Sequence, residues 1–282
     1  MKIAISCEST CDLSKELIKK YNISIIPYSI ILGDKVIDDN ENVPAEIFDY
    51  VEKTGILPKT SAINEEIYKA YFSSLLEKYD AVIHITLSGG ITSSVENAKH
   101  ASNHFDNVFV VDSRSLSTGI GLLAIYARNL ANAGKQPKEI AELVEKRVPS
   151  VQTSFVIERL DYLYKGGRCN ALSLFGANLL KLRPQIELVD GKMKPAKKYR
   201  GKMGKVIEEY TKDVLTEFNN PDKSIGFITY TTATPDMLEA ARTALKNAGF
   251  ENIYETVAGG TITSHCGEHV LGIIYINDGG KN

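Results

Sequence analysis

Leu87-Ser88-Gly89-Gly90-Ile91-Thr92-Ser93-Ser94 decides how the rest of the chain is read. The residues before it, Ala81-Val82-Ile83-His84-Ile85, are β-branched and apolar enough for a buried strand. His84 within that strand reads as a core-edge histidine. After the turn, Val95-Glu96-Asn97-Ala98-Lys99-His100-Ala101 reads as a helix with Thr92 or Ser93 as its N-cap. Strand, glycine turn and helix start bring free backbone N–H groups and the positive end of a helix dipole to one point. Such a point seats an anion, and three hydroxyls, Thr92, Ser93 and Ser94, stand beside it. The same residues also read as an ordinary βα-turn that caps its own helix.

The turn gains weight from its surroundings. Residues 2–6 read as a first strand, 12–20 as a helix with Leu13, Leu17 and Ile18 on one face, and the Ile-rich 24–32 as one buried strand. Residues 35–38 form a short return strand, Pro44 opens a helix to Thr54, and Lys59-Thr60-Ser61 sits in a loop before a helix from about residue 65 to 78. Val108-Phe109-Val110-Val111 is the next strand, and two further helices lead to Pro149. Alternating strands and helices predict a mostly parallel sheet flanked by helices. Ligands of such sheets bind beyond the carboxyl ends of the strands. The turns at 6–12, 88–94 and 112–117 all lie there.

Beyond Pro149 the pattern changes. A strand near 154–157, a short helix to Lys165, the polar turn Gly166-Gly167-Arg168 and a Leu- and Phe-rich helix over 171–182 come first. A hairpin through Asp190-Gly191 follows. Then come a helix at 204–218, a strand at 225–230, a helix at 235–248 and a strand at 253–257. The Gly259-Gly260-Thr261-Ile262-Thr263-Ser264-His265 stretch reads as a polar loop before a last strand at 270–276. The chain therefore reads as α/β in two domains: residues 1–149, with the parallel sheet, and 150–282, an α+β unit with a mixed sheet.

Composition excludes several classes. A chain of 282 residues with 43% hydrophobic and 24% charged residues is globular, and a net charge of -2 gives no field for nucleic acid. Cys7, Cys11, Cys169 and Cys266 are too sparse for a disulfide framework and lack the paired spacing of a zinc site. The start is too short for a signal peptide and no run is long enough to span a membrane, so the expectation is a cytoplasmic protein.

Two enzymatic readings stand beside the anion site. His265-Cys266-Gly267-Glu268-His269 matches the H-x-x-E-H order of a metallohydrolase, a pattern that needs a helix to align its histidines. Ser93, His265 and Asp112 supply the residue types of a hydrolase triad without its G-x-S-x-G turn. His100 and His104, at i and i+4, read as a solvated helix face. No P-loop or dinucleotide glycine pattern is present. Lys165-Gly166-Gly167-Arg168 fits a helix C-cap, which explains the glycines and leaves Arg168 either solvated or free to reach an anion.

An ordered set of short matches resembles the bacterial DegV family of fatty-acid-binding proteins. It comprises Ser9-Thr10-Cys11-Asp12-Leu13, Lys59-Thr60-Ser61, the 88–94 turn, Val111-Asp112-Ser113 with Ser117 and Gly119, Leu163 with Lys165-Gly166-Gly167-Arg168, Leu182-Arg183-Pro184, Tyr199-Arg200-Gly201 and Ser264-His265. Ala62 and Gly267-Glu268-His269 depart from the family pattern. The resemblance implies one long-chain fatty acid held between two domains, with no other cofactor. Its carboxylate would meet Thr60, Ser61, Thr92, Ser93 and His265. It implies no catalytic or metal residues, but a carrier that presents the carboxylate to a separate ATP-dependent kinase. The resulting acyl phosphate would feed phospholipid synthesis. Arg168, Arg200 and Ser264 are then candidates for head-group or partner contact. Residues 26–32 and 172–182 are candidates for the acyl tunnel. The Leu174-Phe175-Leu179-Leu180 stripe, flanked by Lys181 and Arg183, is a candidate for transient contact with a membrane surface. A small polar pocket for a phosphosugar is the remaining alternative.

Overall fold

The computed structural model describes residues 1–169 and 182–280. The helix expected over 171–182, with its tunnel and membrane-contact roles, falls almost wholly outside the described residues. The first half runs β1 (Ile3–Glu8), α1 (Lys15–Lys20), β2 (Ile23–Ile26), β3 (Ser29–Leu32), β4 (Lys35–Asp38) and α2 (Val43–Thr54). It continues with β5 (Lys59–Ser61), α3 (Glu65–Leu76), β6 (Ala81–Thr86), α4 (Ser94–Ser102), β7 (Val108–Asp112), α5 (Thr118–Asn132) and α6 (Pro137–Arg147). Four strands make an all-parallel sheet in the order β2-β1-β6-β7, with Ile5 opposite both Ile23 and Ile83. β1 and β6 are buried along their whole length, as strands covered on both faces must be. Strand order reverses between these two, so the loops leaving them open at one crevice. His84 is fully buried, its Nδ1 3.0 Å from Ser6 Oγ and its ring packed edge-on to Tyr68 and Phe72.

Two expectations for this half are corrected. Residues 24–32 are two strands, because Pro27, which lacks an N–H, ends β2 and the chain turns away. β3 joins a separate antiparallel sheet, β4-β3-β5, in which the expected loop at Lys59-Thr60-Ser61 is instead strand β5, paired to Ser29, Ile30 and Ile31.

The second half runs β8 (Val151–Val156), α7 (Asp161–Lys165), β9 (Arg183–Val189), β10 (Lys192–Tyr199) and α8 (Met203–Glu217). Then come β11 (Ile225–Tyr230), α9 (Pro235–Asn247), β12 (Asn252–Val257), α10 (Gly260–Cys266) and β13 (Leu271–Ile276). Its six strands form a mixed sheet, β10-β9-β8-β13-β11-β12, parallel only between β11 and β12. Asp190 and Gly191 both take positive φ, 52° and 76°, which is what the tight hairpin turn requires. The sheet separates two cores. Along β13, Leu271, Ile273 and Tyr275 pack with Met203 and Ile207 of α8 and Met237 of α9, while Ile274 and Ile276 join the core of the first half. Among the described residues no helix is long and apolar enough to cross a membrane.

Candidate functional site

The stretch expected as a polar loop, 259–265, is mostly helix α10, and the reason is tertiary. Its first residues are glycines with no side chain to cap the N-terminus. Two aspartates from the first half supply the acceptors instead. Asp39 accepts Gly260 N at 2.7 Å, Thr261 N at 3.0 Å and the Thr261 hydroxyl at 2.7 Å. Asp12 accepts Gly259 N at 2.8 Å and the Ser117 hydroxyl. The Asp39 side chain, on the first N–H groups of the helix, also complements the helix dipole. Gly260 is required by close approach to α2, since a Cβ there would stand 2.5 Å from Val43. Burial first, with Asp39 adding repulsion, pushes the Asp12 carboxyl up to about 8.

This helix delivers His265, whose Nε2 shares a hydrogen bond of 2.8 Å with Thr60 Oγ1. Strand alternation turns Thr60 inward and leaves Lys59 and Ser61 exposed. The Ser61 hydroxyl faces its own neighbour's carbonyl, Ala62 O, at 3.4 Å. Thr60, Thr92, Ser93, Arg168 and His265 line one cavity of about 150 Å³ together with Tyr28 and the apolar Leu87, Ile91, Leu116, Met193 and Ile262. Leu116 and Ile262 also line a narrow crevice of about 20 Å³ that continues past Phe155, Val270 and Ile274. The cavity therefore has a lining part polar and part apolar, and it shares two of its apolar residues with the crevice. Ser61 and Arg200 are not among its described lining residues, Arg200 being exposed beyond the end of β10. Ser264 is buried with its hydroxyl on Gly260 O.

The glycine turn is held from behind. Ser93 is the N-cap residue of α4 and makes no side-chain capping bond. Thr92 Oγ1 accepts Ser94 N at 3.2 Å, and Ser94 Oγ accepts Ile63 N at 3.2 Å. The Tyr28 hydroxyl lies 2.7 Å from Ser94 Oγ and 3.3 Å from Thr92 Oγ1. Glu8, at the end of β1, accepts Leu87 N at 2.6 Å together with the hydroxyls of Tyr68 and Thr10. Burial pushes its carboxyl up to about 7 despite those three donors. The hairpin tip closes the turn from outside, where Ser88 donates its hydroxyl to Gly191 O at 2.7 Å.

His265 is held neutral. Burial first, and then the charge of Arg168, depress its imidazole to about 4. Its Nδ1 is buried and has no hydrogen-bond partner among the described residues.

The enzymatic readings find no support in this geometry. Asp112 accepts Gly89 N at 3.2 Å and Arg114 N at 2.9 Å, while His265 faces Thr60, so Ser93, His265 and Asp112 do not form a relay. His269 binds Glu158, whereas His265 bonds Thr60. Among the described residues no group of three or more His, Cys, Asp or Glu side chains gathers as metal ligands. His100 and His104 lie beside Glu65 on an exposed surface.

Four residues that hold this site were not singled out for it from sequence: Glu8, Asp12, Tyr28 and Asp39. Asp12 stands in a quoted motif, and Tyr28 directly follows the proline that breaks the strand; those were the available signals.

Comparison with known proteins agrees with the architecture. The family model described as "Uncharacterised protein, DegV family" matches residues 2–278, so the chain belongs to the DegV family. A fatty acid-binding protein from Thermotoga maritima is 29% identical over 281 residues, covering 96% of each chain. A solved structure concerned with fatty acid binding of a DegV family protein from Thermus thermophilus superposes with a TM-score of 0.90 at 26% identity, covering 99% of this chain and 100% of that one. The fatty acid kinase B3 protein of Streptococcus pneumoniae, loaded with linoleic acid, shares the fold with a TM-score of 0.84 at 19% identity over 99% and 100% of the two chains.

Proposed function

We propose that this DegV family member is a carrier that binds one long-chain fatty acid between residues 1–149 and 150–282 and presents its carboxylate to an ATP-dependent kinase. The observation that carries the reading is the cavity with its part-polar, part-apolar lining. In the polar part Thr60, Thr92, Ser93 and His265 offer hydroxyl and imidazole donors beside a helix N-terminus, an arrangement that suits a carboxylate. Two residues of the apolar part also line an apolar crevice that leads past Phe155 and Ile274. Each buried methylene contributes about 0.8 kcal/mol, whereas one charge-assisted hydrogen bond contributes roughly 1.5–3 kcal/mol. The acyl chain thus dominates affinity and the polar part sets orientation. Loading the chain requires the crevice walls to part. The fatty-acid-binding relatives support the ligand class, and a linoleate-loaded protein of the same fold named for a fatty acid kinase is in keeping with the carrier role.

In the transfer step a carboxylate oxygen forms a bond to the terminal phosphorus of ATP. The bond from that phosphorus to the bridging oxygen breaks, and ADP leaves with the electron pair. Neutral His265 donates a hydrogen bond to the bound carboxylate. Arg200, exposed outside the cavity wall, is left as a surface contact for the kinase, and Arg168 borders the head group, while Ser61 and Ser264 stand outside the cavity lining.

Mass spectrometry of the purified protein, native and after organic extraction, tests the reading. A stoichiometric fatty acid is expected. A protein that is empty, and stays empty after incubation with palmitate and oleate, overturns it. His265→Ala is expected to weaken palmitate binding about tenfold, the value of one such hydrogen bond.

A further inference from the structure

The Thr60–His265 pair is a partition with a hollow on each side. The inner one is the cavity already described. The outer one, of about 340 Å³, is lined by Lys59, Tyr162, Lys165, Arg168 and Ser264 as well as the pair itself. Its described lining includes three cations and no acid. Neither Lys59 nor Lys165 has a carboxylate partner among the described residues. Residues 170–181 and 281–282 contain no Asp or Glu to neutralise them. Arg168 is fixed where it can serve the hollow, its Nη1 donating to Gly166 O at 2.6 Å. Gly166 in turn sits against His265: a Cβ there would lie 2.6 Å from Nδ1, the buried nitrogen without a partner. Three exposed cations around a concavity, with a histidine at its back wall, suit an anion of higher charge than one carboxylate.

We propose that this outer hollow is the seat of the phosphate in the acyl phosphate product, held by Lys59, Lys165 and Arg168. The inference rests on the carrier reading. With the chain pointing inward and the carboxylate at Thr60 and His265, a phosphorus joined to a carboxylate oxygen emerges on the outer side. Transfer raises the charge on the ligand, and the hollow meets it with Lys59 and Lys165, which line the outer hollow and not the inner cavity, beside Arg168, which lines both. The carrier therefore holds its product more tightly than its substrate without turning the ligand around.

The test compares palmitate with the β-ketophosphonate isostere of palmitoyl phosphate, in which CH2 replaces the bridging oxygen, and uses ATP alone as a third arm. Binding is measured by calorimetry on the full chain, with Lys59→Ala and Lys165→Ala, both exposed positions that the fold does not need. The expected result is tighter binding of the phosphonate than of palmitate by the wild type. Each lysine variant should lose about tenfold for the phosphonate, as for a charge-assisted contact, and less than twofold for palmitate. Equal effects on the two ligands, or none, overturn the phosphate seat while leaving the carrier intact. Lysine-dependent binding of ATP alone overturns it in favour of a nucleotide site. A wild type that takes up neither lipid sinks the carrier reading and this one with it.

Discussion

His84 is a fully buried imidazole and His265 a half-buried one, each with one buried nitrogen that lacks a partner among the described residues, and both are held far below the usual histidine range, at about 3 and about 4. Their surroundings differ. His84 stands inside the parallel sheet, on Ser6 and against Tyr68, Tyr71 and Phe72, where burial alone depresses it. His265 stands at the end of a seven-residue helix, on Thr60, at the wall between two hollows, and burial is joined by the charge of Arg168. Burial makes either ring neutral, and only the adjacent free space and cations give one of them something to bind. A perturbed titration is evidence of a site only when a cavity goes with it.

The strongest way to break this contrast is His84→Ala. Removing the ring from among Tyr68, Phe72 and Ser6 leaves a cavity and is expected to cost about 2–4 kcal/mol in urea denaturation. The folded fraction should bind palmitate as the wild type does; a loss of binding that exceeds the loss of folded protein would make His84 part of the site. Next in size is Asp39→Ala, which strands Gly260 N, Thr261 N and the Thr261 hydroxyl. An expected cost of about 2–3 kcal/mol follows from the unsatisfied donors. Here palmitate affinity should fall as well, because α10 carries His265. Destabilisation with unchanged affinity would show that His265 holds its place without that cap.

A smaller effect appears with pH. His84 has a folded value below its unfolded 6.5, so its contribution is complete above pH 6.5 and is lost as pH falls toward about 3. Glu8 and Asp12 act in the opposite sense. Raised to about 7 and about 8, they contribute fully below their ordinary values near 4 and lose that contribution as pH rises through neutrality. His84→Phe keeps the aromatic packing, leaves Ser6 with Tyr71 at 2.8 Å and removes the titrating ring. Relative to the wild type, it should be near-neutral at pH 8 and progressively more stable from pH 6.5 to pH 5. A constant difference across that range would mean that His84 does not titrate with folding.

The sequence carries the parallel sheet of the first half and the glycine turn because both are local. Val82 to Ile85, the glycines at 89 and 90 and the hydroxyls at 92–94 state strand, turn and helix start within a few residues. The hairpin at Asp190-Gly191 is legible for the same reason. Residues 259–265 misled because two glycines followed by β-branched Thr261 and Ile262 have poor helix propensity. The helix exists through Asp12 and Asp39, and those caps are 247 and 221 residues away in the chain. Residues 24–32 misled because hydrophobicity outweighed the one residue, Pro27, that cannot stay in the ladder. Thr60 and His265 read from the sequence as separate contacts; that they bond to each other and both line two hollows is a fact of tertiary distance, which no spacing encodes.

The capping of α10 by Asp12 and Asp39 also sets the order in which this molecule can be completed on the ribosome. Both carboxylates are synthesised early and accept Ser117 and Ser9 hydroxyls of the first half, yet the α10 cap is complete only when residues 259–261 have left the exit tunnel. Until then the parallel sheet can form with the wall of its cavity unfinished. A nascent chain halted after β12 therefore carries the glycine turn and Thr60 and still has no partition, because His265 has yet to be made.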